Sequence, residues 1–118
     1  MYKEDELIRL RSIQTKFNSI FTIIKRHDGI VNALEDEEGQ PAILMLLIAS
    51  AEHFNKLSKY NSAIISEFDE EDIKGIISVR NFIAHDYDGV NLAMIESDLR
   101  INIPKILKII ESILKNEK

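Results

Sequence analysis

The sequence predicts an all-α protein, a bundle of four or five helices built by a single domain over residues 1–118. Apolar residues recur at three- and four-residue spacing along most of the chain. No segment alternates apolar and polar residues as a half-buried strand would, and only four glycines and two prolines break the pattern. A chain of 118 residues, 45% of them hydrophobic, is long enough for one core and too short for two. The same apolar content excludes a disordered chain.

Over residues 4–27, Leu10, Ile13, Phe17, Ile20, Phe21 and Ile24 mark one helix face. Lys25, Arg26 and His27 suit the negative end of its dipole, and Asp28-Gly29 supplies a stop. Residues 30–34 add a short helical turn before the acidic loop 35–39, and Pro41 is placed as a first helical residue. Residues 42–59 are apolar on nearly every side, as a central buried helix would be. After an irregular stretch at 60–66, with Ser66 as a possible cap, a helix is expected over 67–86 with its acidic residues in the first turns. Residues 86–89 read as a turn in which Gly89 would supply a positive φ. The last helix, 91–116, should kink or break near Asn102, ahead of Pro104.

Charge and composition narrow the function. Fifteen Lys and Arg face twenty Asp and Glu, a formal charge of −5, which speaks against coating DNA or RNA by bulk electrostatics. Phosphate chemistry would need a small local site. Without cysteine there is no disulfide, thiolate nucleophile or Cys-ligated zinc. No basic segment followed by an apolar one marks a leader, and the apolar run 42–49 is far short of the ~20 residues that span a bilayer. A soluble cytoplasmic protein with no membrane partner is expected. The acidic runs 35–38 and 69–72 lack the pattern of a calcium loop, and neither a metal-binding His motif nor a Gly-rich phosphate loop occurs. No metal and no cofactor are expected.

Two polar residues fall where apolar ones belong. Projected at about 100° per residue, Ile73, Ile76, Ile77, Ile83 and Ala84 lie within roughly 60° of Arg80, which places Arg80 inside an apolar stripe. Asn81 and His85 share one flank of that helix, and Val79 and Phe82 form a second apolar patch suited to another chain. On the central helix, Glu52 likewise sits among Leu44, Met45, Ile48 and Ala49. A buried Arg80–Glu52 pair that fixes helix register explains both residues. So does a Glu52 that orients Arg80 while guanidinium N–H groups face an anion, and the two are compatible. His85 is the acid/base candidate, since imidazole exchanges protons near neutrality. Arg beside His can cleave a phosphodiester without a metal if a ribose 2′-OH is the nucleophile, which restricts the substrate to RNA. His27 and His53 read as a helix-end cation and a packing residue.

The stretch Val79-Arg80-Asn81-Phe82-Ile83-Ala84-His85-Asp86-Tyr87-Asp88-Gly89-Val90 closely resembles the signature of HepT-like toxins of the HEPN superfamily: Arg, four residues, His, one residue, Tyr. Ala51-Glu52 with Leu57-Ser58, and Asp98-Leu99 with Ile103-Pro104, are similar to further family segments, although His53 and the position of Pro104 depart from them. The resemblance implies an antiparallel HEPN-like bundle, paired as a homodimer with Arg80 and His85 of both copies facing one cleft. It implies a metal-independent endoribonuclease toxin of a type VII-like toxin–antitoxin module, acting on RNA and not on DNA. Arg80, Asn81 and His85 would be catalytic, with Glu52 supporting Arg80. The implied partner is a minimal nucleotidyltransferase antitoxin that neutralises the toxin by transferring AMP to Tyr87. The alternative is a non-catalytic helical binding subunit for such a transferase, in which Arg80 only grips a phosphate.

Overall fold

In the computed structural model, which describes residues 2–117, the first helix is α1, Glu4–Arg26. Its start is held by Glu6, whose Oε1 accepts from the Lys3 backbone N–H at 2.9 Å. Asp28 and Gly29 both take positive φ, 62° and 139°, so the predicted stop is a left-handed corner that only glycine occupies freely at its second position. It feeds α2, Ile30–Glu35. Asp36 then caps α3, Gly39–Lys59, accepting from Gly39 N at 2.8 Å and Glu38 N at 3.0 Å. Those two bonds, with His27 nearby, hold its carboxyl below the usual range. Pro41 thus falls in the third helical position instead of the first, where its missing N–H is still one of the unbonded four.

The irregular stretch becomes a short 3-10 turn, Ala63–Glu67, after Asn61 at φ 51°. Helix α4, Glu70–His85, starts three residues later than the acidic run suggested, because Phe68 folds inward against Phe54, ring centroids 5.4 Å apart and edge to face. Asp86–Gly89 is the predicted turn, but Gly89 does not take a positive φ. Its N–H donates to Asp86 Oδ1 at 3.0 Å, and a Cβ there would stand 2.2 Å from Asp86 Oδ2, so a larger residue would push that exposed carboxylate aside. Asn91 caps α5, Leu92–Ser97, accepting from Ala93 N and Met94 N.

The last α-helix is interrupted up to Asn102, where Pro104 was expected to disturb it, by a wide turn and not by a full break. Between α5 and α6, Ile103–Asn116, the chain widens into a π-turn over Asp98–Asn102, closed by Ile103 N–H donating to the Asp98 carbonyl. The proline lacks an N–H and its ring would collide with a carbonyl of the preceding turn. The wide turn relieves both without leaving the helical region.

The rods therefore number five if α5 and α6 are taken as one, and among the described residues there is no strand. Helix α3 runs antiparallel to α1 and packs against α4. Arg9 of α1 meets His53 late in α3, Glu6 bonds Ser62 beyond its end, and Glu52 of α3 meets Arg80 of α4. Leu10, Ile13, Phe17, Ile43, Leu44, Phe54, Ile83, Ile95, Ile106 and Ile110 are sealed in one core. Lys105 bridges Asp69 and Asp72 at 2.6 and 2.8 Å, tying the start of α6 to the start of α4. Among the described residues, no helix is long and apolar enough to cross a membrane.

Candidate functional site

The site lies in the groove between α3 and α4. Burial on α4 falls on Ile73, Ile76, Val79 and Ile83, so its stripe is centred about 45° toward the Val79 side of Arg80 at 100° per residue. This corrects the expected phase. Ile77 is only half-buried and Ala84 is exposed, and they had drawn the stripe toward Arg80. Val79 belongs to the core, and Phe82, 58% exposed, stands without it on the outer face.

Arg80 and Glu52 meet as expected, but at the rim of the bundle and not inside it. Arg80 Nη2 donates to Glu52 Oε1 at 3.4 Å, with side-chain exposures of 39% and 54%. The buried register-fixing pair is thereby excluded. Arg80 Nη1 donates to the Asn81 amide oxygen at 3.1 Å. A carboxylate from one helix and an amide from its neighbour in sequence hold the guanidinium plane on two sides. The remaining N–H groups are left for an acceptor in the solvent.

These residues line a cleft of about 200 Å³ with Ala51, Asn55, Lys56 and Ile77. Two cations against one carboxylate give a positive notch on an acidic protein. Asn55 and Lys56 were not singled out in the sequence. Their signal was position, one helical turn beyond Glu52.

His85 is exposed in the last turn of α4 and makes no hydrogen bond or ion pair among the described residues. It does not line the cleft. Five residues separate it from Arg80, which is about 140° of rotation and about 7.5 Å of rise. One copy of the chain therefore presents the two groups on adjacent faces. Asn81, His85, Ser78 and Phe82 share the outer arc of α4, all exposed. Tyr87, just past the helix, is half-buried against the core.

The other histidines are structural. His27 Nδ1 contacts the Ile23 carbonyl at 2.8 Å and Nε2 lies 3.2 Å from Asp36, closing the corner between α1 and α3. His53 accepts through Nδ1 from Arg9 at 3.2 Å, and burial, then the fields of Lys16, Arg9 and Lys56, push its imidazole below its ordinary value. Among the described residues no three His, Cys, Asp or Glu side chains form a group suited to a metal ion.

A family model described as HepT-like, ribonuclease HepT-like, matches residues 13–113. That span takes in the cleft, the outer arc of α4 and Tyr87. Neither the curated proteins nor the solved structures gave a match.

Proposed function

The chain belongs to the HepT-like ribonuclease family, and on that footing we propose that it is a metal-independent endoribonuclease toxin whose working cleft is shared by two copies. The observation that supports this most is the Arg80 guanidinium, braced by Glu52 and Asn81 in a positive notch beside an outer arc that carries both His85 and the exposed Phe82. Packing that arc against its twin covers Phe82 and brings each His85 toward the other copy's groove.

The chemistry is in-line transfer within RNA. The ribose 2′ oxygen attacks phosphorus as His85 takes its proton. The phosphorus–5′ oxygen bond breaks, leaving a 2′,3′-cyclic phosphate, and the departing oxygen takes a proton from an imidazolium, which the second copy's His85 can supply. Arg80 meets the charge that builds on the non-bridging oxygens, and Asn81 holds Arg80 in plane. DNA has no 2′ nucleophile and is not a substrate. Tyr87 is the proposed acceptor of AMP from a nucleotidyltransferase antitoxin. Its phenolic oxygen would displace pyrophosphate from ATP, setting an anion beside the RNA path.

In EDTA, the purified wild-type chain should cleave RNA, while Arg80→Ala and His85→Ala each fall by about 10²-fold or more with unchanged helicity. Equal cleavage by all three refutes the assignment. The separation of His85 from Arg80 within one copy favours a second reading, a non-catalytic subunit that grips phosphate for a transferase. A chain harmless on expression that still binds the transferase supports that reading. Toxicity abolished by His85→Ala supports the nuclease.

A further inference from the structure

Lys56 lines two cavities. One is the Arg80 cleft; the other, about 550 Å³, lies between the start of α1 and the end of α3 and is bordered by Lys3, Arg9, Lys56 and Tyr60. Lys56 is thus common to the walls of both. Glu52, Lys56 and Tyr60 occupy successive i, i+4 positions of α3 and its cap, about 6 Å apart along the axis, so they form one track leading out of the cleft. Tyr60 ends that track 71% exposed, more than any other large apolar side chain described.

The charge along the track is asymmetric. Arg9, Lys16 and Lys56 all act on His53, which marks a cluster of cations where α1 crosses α3. Asp5 and Glu6 line the second cavity as well, Asp5 accepting from the Glu6 N–H and Glu6 from the Ser62 hydroxyl and the Lys3 N–H. Three cations, Lys3, Arg9 and Lys56, thus stand there against two carboxylates, while Glu52 is paired with Arg80. A cation row ending in an exposed aromatic ring is the chemistry that holds a single nucleic-acid strand, with phosphates on the ammonium groups and a base on the ring.

We propose that this second cavity is a substrate subsite, in which a phosphate of single-stranded RNA flanking the cleavage point rests on Lys56 and Arg9 while the next unstacked base lies on Tyr60. The inference rests on the ribonuclease reading above and adds where the substrate goes when it leaves the cleft. It also makes the enzyme prefer unpaired over duplex RNA, because a paired base cannot turn onto Tyr60.

The test is cleavage kinetics on a single-stranded oligonucleotide and on a dinucleotide too short to reach Tyr60. Tyr60→Ala should raise KM on the oligonucleotide about 10-fold, the loss of one base–aromatic stack, with kcat little changed. The penalty should shrink on the dinucleotide, and Tyr60→Phe should restore the wild-type KM because stacking needs no hydroxyl. Lys56→Ala should lower the slope of log affinity against log salt by about 0.7, one phosphate contact on a single strand. Wild-type cleavage with KM and salt slope unmoved in these variants overturns the subsite and leaves the ribonuclease reading standing. A wild-type chain that cleaves neither substrate overturns both.

Discussion

Glu52→Ala separates a rim ion pair from a buried one. At 3.4 Å, unit charges attract by about 1 kcal/mol in water and several-fold more in a protein interior. With 39% and 54% of the two side chains exposed, the pair sits toward the water end. After the entropy of holding two long side chains, its net contribution should be about 0.2–1 kcal/mol. For a domain of this length that is a Tm drop of about 4 °C or less. Cleavage should fall further than stability, because Arg80 keeps only Asn81 to hold its plane. Thermal and urea unfolding of both chains, followed by circular dichroism at matched concentrations, give the first number and initial rates on RNA the second. A stability loss of about 3–5 kcal/mol would mean that Arg80 is stranded in a dry interior, and would refute the placement of the site at the rim.

Asp98 is 9% exposed, and burial raises its carboxyl pKa against the opposing pull of the Asn102 amide, which donates to it at 2.6 Å. The folded state therefore binds this proton more tightly than the unfolded chain. Its ionisation costs stability as pH climbs from the ordinary carboxylate range through the raised value. Asp98→Asn should be more stable than wild type at pH 7, with the gap closing in acid; urea midpoints against pH that show a constant gap, or a less stable variant at pH 7, contradict this. Phe82→Glu should leave the isolated chain's stability within about 0.5 kcal/mol, because the ring is exposed. It should shift sedimentation from dimer to monomer and cut cleavage with it; an unchanged sedimentation coefficient would remove α4 from the pairing surface.

The long helices were legible because each buries one stripe, and a stripe leaves its period in the sequence. Leu10, Ile13, Phe17 and Ile20 are all sealed, as their spacing required. Phase was harder to read. On α4, Ile77 and Ala84 counted as apolar although the fold leaves them half-buried and exposed, and they drew the stripe onto Arg80. Hydropathy records what a residue could bury, not which neighbour is there to cover it. The contact between Arg80 and Glu52 survived the error, since both flank the same groove. Gly89 was read through its backbone freedom, but it takes no positive φ, and a Cβ there would meet only the exposed Asp86 carboxylate, which can turn away. The cavity at Tyr60 left no local trace, because Arg9 and Lys56 come to line it together only after α1 and α3 have packed.

The wide turn at Asp98–Asn102 joins a segment whose apolar edge meets α2 to one whose apolar edge meets α1. A uniform helix would fix the rotation between Ile95 and Ile106; the slack turn resets it, as a coupling lets two shafts run out of step. Tightening the turn to ordinary pitch with all five residues kept would re-aim everything downstream, swinging Ile103, Ile106, Ile110 and Ile113 away from the interior together, whereas removing one residue as it tightens would hold them in place. Pitch and length of those five residues thus compensate each other, and together they set the aim of the whole carboxyl-terminal rod.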